Sequence, residues 1–197
     1  MRKRQENTML YKTHYESPLG DLLLTADAQA LTGVWFDGQK YYAQGQADLE
    51  PEAGAAICNA PCEEEHAPLL ADAKRWLDIY FSGNEPDFDL PLNPTGTDFQ
   101  KSVWSILCMI PYGKTMTYGQ IAAQIAAERG IARMSAQAVG GAVGHNPLSI
   151  IVPCHRVVGT NGSLTGYAGG IDRKIKLLTL EGINMSTFFV PKKGTAL

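Results

Sequence analysis

No apolar run in this 197-residue chain reaches the roughly 18 residues that a membrane-crossing helix needs. The basic start, Met1-Arg2-Lys3-Arg4, has no apolar stretch behind it and does not read as a secretory signal. Cysteine is scarce: four residues, Cys58, Cys62, Cys108 and Cys154, without the spacing of a disulfide framework, which fits a reducing compartment. These absences predict a cytoplasmic protein with no membrane contact. Cys58, Cys62 and His66 would supply three zinc ligands, but no fourth stands at a convincing spacing, and Glu63-Glu64-Glu65 between them reads as solvated loop. No metal is therefore expected, and with no cofactor motif in the chain, no cofactor.

Acidic residues are almost missing from the second half. Residues 99–197 carry 10 Lys/Arg against 3 Asp/Glu, a net of +7, whereas residues 1–98 carry 7 against 17, a net of −10. The overall charge of −3 hides this division. Such asymmetry suggests two modules, the basic one facing an anion such as a phosphate backbone; the plainer reading is that the two halves attract each other.

Taken in order, Met9 to Tyr15 alternates as a strand, and Ser17-Pro18-Leu19-Gly20 has turn chemistry. Leu22–Thr25 and Leu31–Phe36 make two further strands of an antiparallel meander. Residues 43–66 lack a clear period and read as loop. Leu69, Leu70, Ala73, Leu77, Tyr80 and Phe81 recur at helical spacing between Pro68 and Gly83. Three prolines between Pro86 and Gly96 mark a linker. The predicted domains are thus 8–90, a small sheet-and-helix unit, and 96–184, an α-rich unit, giving an α/β (α+β) chain.

In the second unit, Phe99, Val103, Ile106, Leu107 and Ile110 share one helix face, with Asp98 as the expected N-cap. Thr117-Tyr118-Gly119-Gln120 fits a capping box for a helix running to about Glu128. Ser135 caps another, from Ala136 to Val143, and the pair has the form of a helix-turn-helix. This second helix carries Gly140 and Gly141, with Gly144 just beyond. A helical glycine costs about 1 kcal/mol relative to alanine, so something must favour them. Close packing against another element is one reason, and close approach to DNA is the other. A slim helix without long polar side chains suits the narrow minor groove, where sequence readout is degenerate.

The chain is organised around Ile150-Ile151-Val152-Pro153-Cys154-His155-Arg156-Val157-Val158. The apolar run Leu148–Val152 has strand character and stops at Pro153. Cys154 follows beside an imidazole and a guanidinium, and a thiol reacts as its thiolate, which such neighbours favour. A buried structural cysteine is the competing reading. Ile171–Leu180 forms the last helix, with Ile175, Leu177 and Leu178 inward. Glu181 sits at its C-terminus, where the helix dipole disfavours an acid, which implies a specific partner.

Pro153-Cys154-His155-Arg156-Val157, preceded by Asn146-Pro147, resembles the motif of the 6-O-alkylguanine-DNA alkyltransferases. The resemblance continues through Thr117-Tyr118-Gly119, Ala138-Val139-Gly140, Gly166–Gly170 and Leu180-Glu181-Gly182, and more faintly in Ser17–Gly20. It implies a ribonuclease H-like N-terminal domain and a winged-helix-like helix-turn-helix domain. It also implies direct-reversal repair: one irreversible transfer of an alkyl group from 6-O-alkylguanine to Cys154, by a monomer acting on double-stranded DNA through the minor groove. His155 would act on the thiol through a water, Glu181 would fix the imidazole, and Asn146 would bond near the sulfur. Tyr118 would crowd the phosphate of the flipped nucleotide, and Tyr167, Val157 and Gly169 would shape the guanine pocket. Gln137, Ala138, Arg156 and Ala168 complete the implied DNA- and substrate-binding set. Gln137 stands where relatives commonly have arginine, and Ala168 where some have serine. The main rival is a non-catalytic lesion-binding relative, which would lack the cysteine. A helix-turn-helix regulator would need base-reading side chains, and a cysteine hydrolase would turn over.

Overall fold

A computed structural model describes residues 10–44 and 68–192. The expected zinc ligands Cys58, Cys62 and His66 and most of the expected loop 43–66 lie outside the described residues. Three strands, β1 (Tyr11–Ser17), β2 (Gly20–Ala26) and β3 (Leu31–Phe36), form an antiparallel meander in that order. Pro18 and Leu19 make the first connection, and Gly20 leaves it at φ +112°, a backbone that side chains rarely adopt. Asp27 closes the second, its carboxylate accepting from the amides of Gln29 and Ala30.

Helix α1 (Pro68–Phe81) lays Leu70, Ala73, Leu77 and Tyr80 on the core. Each such fully buried large side chain contributes about 1.5–3 kcal/mol. The linker then runs along β3: the Leu31 amide donates to Pro91 O at 2.8 Å, and the Asn93 amide to Leu31 O at 2.8 Å.

The second part holds α2 (Asp98–Cys108), β4 (Met116–Thr117), α3 (Tyr118–Glu128), α4 (Ala136–Gly144), β5 (Val157–Val158) and α5 (Ile171–Leu180). Strands β4 and β5 pair in parallel. The N-cap of α2 is Thr97, not Asp98. Thr97 Oγ1 accepts from the Gln100 amide, and the Gln100 side chain reaches back to the Thr97 amide. That reciprocal pair needs a hydroxyl three residues before a glutamine, which only Thr97 provides; Asp98 becomes the first helical residue, where its charge favours the dipole. The capping box at Thr117 and the Ser135 cap form as their sequences dictate.

The expected strand at Leu148–Val152 does not form. Only Leu148 bridges, to Val34 of β3, with the Val34 amide donating to Pro147 O and the Ser149 amide to Val34 O. The chain then turns at Ile150, whose φ of +72° is far from any strand. Local bonds from Ile151, Val152 and Cys154 amides replace a ladder. One continuous core links the sheet, α1, the helix-turn-helix and Cys154 itself, which joins the two parts around the site.

Candidate active site

Cys154 opens a single 3-10 turn, Cys154–Arg156, on which all three side chains are buried. The turn follows Pro153, so the thiol lies at the end of the compact Ile150 bend rather than at a strand terminus. Asn146, two residues beyond α4, donates from Nδ2 to Cys154 Sγ at 3.1 Å. The same amide reaches Val152 O at 2.8 Å, while Oδ1 accepts from the Leu148 amide at 3.0 Å. One side chain thus holds the bend and the sulfur together.

His155 is fully buried, its Nε2 2.6 Å from Glu181 Oε1. Because that nitrogen carries the proton donated to the carboxylate, the other, Nδ1, bears the lone pair. His155 Nδ1 is buried and has no hydrogen-bond partner among the described residues. Glu181 caps the C-terminus of α5 and is surrounded by donors. Arg156 donates from Nε to Oε2 at 2.9 Å and from Nη2 to Oε1 at 3.0 Å. Tyr80 Oη donates to Oε1 at 2.8 Å, and the Gly113 amide to Oε2 at 3.2 Å. This is the specific partnership that offsets the unfavourable dipole.

Burial works against the charge of Glu181, but the hydrogen bonds and charges of His155 and Arg156 outweigh it and lower the carboxyl to about 2. Burial pushes the His155 imidazole below its ordinary value, against the pull of Glu181. Burial likewise pushes the Cys154 thiol up, opposed by the Asn146 hydrogen bond and the charge of Lys174. The resting pair is therefore a neutral thiol and a neutral imidazole beside a fixed carboxylate.

The structure brings Cys154, His155, Glu181 and Asn146 together as two buried pairs, Asn146 with Cys154 and His155 with Glu181, the thiol and the imidazole lying on adjacent residues of one turn. Val157 and Gly169 are buried, and Tyr167 presents its ring edge-on to His155 with centroids 6.5 Å apart. The Tyr167 hydroxyl is buried and has no hydrogen-bond partner among the described residues. Ala168 is half-buried in the same loop. Tyr118 opens α3, its hydroxyl donating to Thr165 O at 3.0 Å and Gly166 O at 3.1 Å. Gln137 and Ala138 are exposed in the first turn of α4. Arg156, expected among the DNA- and substrate-binding residues, has its guanidinium turned inward: it bonds Glu181 and Ile110 O, the latter at 2.6 Å.

Close packing does not account for the α4 glycines. A Cβ on Gly141 would meet nothing within 4 Å, and those on Gly140 and Gly144 would make only ordinary contacts with Tyr118 and Tyr41. Two network residues escaped the sequence reading. Tyr80 reads as one more core position of α1. Lys174 is fully buried on α5, its Nζ donating to the carbonyls of Val157 and Thr165, with burial lowering it to about 8. Its signal was there: Lys174 stands three and four residues before Leu177 and Leu178, on their face.

A buried thiol bonded by an asparagine amide, an adjacent imidazole fixed by a carboxylate, and a helix-turn-helix leading directly into that asparagine define a cysteine nucleophile built into a nucleic-acid-binding type of scaffold. Two family models match, 6-O-methylguanine DNA methyltransferase, ribonuclease-like domain, over residues 10–94 and 6-O-methylguanine DNA methyltransferase, DNA binding domain, over residues 98–183. The chain belongs to the methylated-DNA–protein-cysteine methyltransferase family. A protein of that name from Methanosarcina acetivorans is 43% identical over 174 residues, which are 88% of this chain and 99% of the relative. One from Mycobacterium tuberculosis is 42% identical over 173 residues, 88% of this chain and 93% of the relative. The crystal structure of Mycobacterium tuberculosis OGT in complex with DNA superposes with a TM-score of 0.68 at 40% identity, covering 87% of this chain and 92% of that one.

Proposed function

We propose that this protein repairs 6-O-alkylguanine in double-stranded DNA by moving the alkyl group to Cys154, once per molecule. The observation that carries the reading is the buried Cys154 thiol bonded to Asn146, on the same turn as a His155 whose imidazole is fixed by Glu181 and whose other nitrogen is buried without a partner among the described residues. The sulfur attacks the alkyl carbon and the carbon–oxygen bond breaks, its electron pair leaving with the guanine oxygen. The thiol proton passes through a water to His155, whose positive charge Glu181 stabilises, and the guanine left behind is protonated in turn. The products are S-alkylcysteine and guanine, so no oxidant, metal or cofactor enters the balance. A thioether is not displaced by water, which limits each molecule to one event.

A base inside a duplex cannot reach a buried thiol, so the nucleotide must be flipped out. The thin, glycine-bearing α4 surface supports approach to the minor groove, with Gln137 as the side chain that fills the vacated stack. Tyr118 crowds the phosphate of the flipped nucleotide, and Val157 with the Tyr167–Gly169 loop forms the walls of the base pocket. Two domains, 8–90 and 96–184, divide the work, and the molecule acts as a cytoplasmic monomer. The name of the Mycobacterium tuberculosis structure, a complex with DNA, supports the choice of partner.

The test is intact mass after mixing the protein with an oligonucleotide carrying 6-O-methylguanine. The expected result is one added methyl group per protein, mapped to Cys154 and absent from Cys154→Ala. Continued turnover, or a methyl group on another residue, refutes the reading.

A further inference from the structure

The N-terminal part grips the loop that would form the guanine pocket, and one side chain sits at the centre of the grip. Arg173, in the first turn of α5, donates from Nε to Leu19 O at 2.9 Å and from Nη1 to Gly169 O at 3.1 Å. Leu19 belongs to the β1–β2 turn, 154 residues earlier in the chain. The guanidinium lies over the Phe36 ring, 4.6 Å from its centroid. Phe36 ends β3 and also touches the pocket loop: a Cβ built on Gly169 would stand 3.3 Å from its ring. A separate bond runs from the Lys40 amide to Ala168 O at 2.9 Å. The carbonyls of Ala168 and Gly169 are thus both held from outside the loop. One is held by the chain just after β3, the other by an arginine that is itself anchored on the β1–β2 turn.

We infer that Arg173 is a positioning residue for the alkyl transfer, clasping the Tyr167–Gly169 loop to the Ser17–Gly20 turn so that the pocket wall is set before DNA arrives. The physical grounds are the fork geometry and the stack. A planar guanidinium bonds two carbonyls in fixed directions while its face rests on an aromatic ring, so the three groups fix one another. The shape of the turn follows from this. Gly20 sits at φ +112°, and a Cβ there would lie 3.0 Å from Arg173 Nη2, so the glycine leaves room for the guanidinium as well as permitting the turn. Arg173 touches neither Cys154 nor the His155–Glu181 pair, so it acts through the loop alone.

The inference rests on the alkyl-transfer reading, and the experiment separates the two. In the full chain, Arg173→Ala, Arg173→Lys and Phe36→Leu are compared with the unaltered protein in three measurements. These are single-turnover methyl transfer from a 6-O-methylguanine duplex, iodoacetamide alkylation of Cys154 read by peptide mass, and hydrogen exchange at the Gly170 amide, which donates to Tyr167 O at 2.9 Å. Arg173→Ala should lower the transfer rate at saturating DNA about tenfold or more, because a misplaced pocket wall spoils the approach of carbon to sulfur. DNA affinity should hold within about twofold, since phosphate contacts carry it. Iodoacetamide, which needs no guanine pocket, should alkylate Cys154 no more slowly. The Gly170 amide should exchange about tenfold faster, reporting a loosened loop. Arg173→Lys, which keeps the charge but bonds one carbonyl at a time, should fall between, and Phe36→Leu should repeat the pattern from the other side of the stack. Unchanged transfer or unchanged exchange in Arg173→Ala overturns the inference. So does an equal loss of transfer and iodoacetamide reactivity, which would make Arg173 a prop of the thiol. If the unaltered protein transfers no methyl group, the alkyl-transfer reading fails instead, and the exchange measurement still decides whether the clasp exists.

Discussion

Tyr80 and Glu181 are 101 residues apart in sequence and 2.8 Å apart in space, hydroxyl to carboxylate. The contact joins α1 of the sheet domain to the end of the last helix, and it lands on the oxygen that also faces His155. Tyr80→Phe removes the hydroxyl and keeps the ring stacked on Trp76. A hydrogen bond to a charged group contributes about 1.5–3 kcal/mol, and the remaining donors around Glu181 soften its loss. The variant should melt roughly 2–6 °C lower, measured by thermal unfolding, and should transfer methyl groups more slowly at neutral pH as Glu181 shifts away from the imidazole.

Stability should follow two acid steps. The folded state holds His155 below its ordinary 6.5, so the unfolded chain binds that proton first and stability starts to fall as pH drops through 6.5. Glu181 is lowered from 4.5 to about 2, so its contribution is whole above 4.5 and is lost as pH falls from there towards 2. Denaturant midpoints across pH would show both, and Glu181→Gln should lack the lower one. At pH 7 that variant also leaves the Arg156 guanidinium buried without its carboxylate, which costs about 3–5 kcal/mol. Equal stability of Glu181→Gln and the unaltered protein at pH 7 would contradict the network.

Because the resting thiol is neutral, a base must take its proton during transfer. His155→Ala should slow methyl transfer about a hundredfold or more at pH 7, the usual scale of a lost general base. Its rate should then climb about tenfold per pH unit up to and beyond pH 9, since hydroxide takes over the task and burial holds the thiol above 9. The unaltered protein should show a much flatter profile that declines on the acid side of 6.5, where the imidazole begins to be lost as a base. Parallel profiles in the two proteins would remove His155 from the reaction.

Asn146 separates shape from chemistry. Asn146→Asp keeps the outline and the acceptor for the Leu148 amide, but it cannot donate to Cys154 Sγ and sets a carboxylate beside it. Asn146→Ala loses all four bonds of the side chain and should cost about 4 kcal/mol of stability at about 1 kcal/mol per bond. Transfer should nevertheless be slower in the aspartate variant, because a neighbouring negative charge opposes the developing thiolate. Faster transfer in Asn146→Asp than in Asn146→Ala would show that the amide serves the bend alone.

Gln137 stands exposed on the first turn of α4. Flipping a base costs a few kcal/mol of unstacking and unpairing, and a side chain that fills the gap offsets part of it. Gln137→Ala should slow repair in duplex DNA more than in a single strand, where no partner base is orphaned. Gln137→Arg should speed duplex repair or tighten binding, because a guanidinium stacks and donates in several directions. Duplex repair by Gln137→Ala at the unaltered rate would show that another side chain fills the gap.

Local signals were readable from the sequence, and distant partnerships were not. The periodicities of α1 to α5 and the box at Thr117–Gln120 are properties of neighbours in the chain. The N-cap of α2 failed by one residue because an aspartate attracts the assignment more than the threonine before it, although Gln100 is spaced for Thr97. The segment Leu148–Val152 reads as a strand on composition alone. Its fold depends on Asn146 bonding three of its groups and on Ile150 accepting a positive φ, which a window of apolar residues cannot reveal. Arg156 has the residue type of a phosphate binder, and only the arrival of Glu181 from 25 residues away turns it inward. Tyr80 and Lys174 were hidden for the opposite reason: their spacing is that of core, and the core here includes the site.

The burial of Cys154, at 3% exposure with its proton in place, has a consequence beyond the transfer step. Peroxide and other cellular oxidants attack thiolates that solvent can reach, and sulfenic and higher acids follow. Cys108 lies exposed on α2, and Cys154 does not. A protein that uses its sulfur only once has no later turnover in which to recover from such a loss, so its useful lifetime is the time that sulfur stays unoxidised. Enclosing the thiol in its neutral form therefore sets a shelf life: the number of lesions a population can remove depends on how many molecules still hold an unspent sulfur when damage arrives.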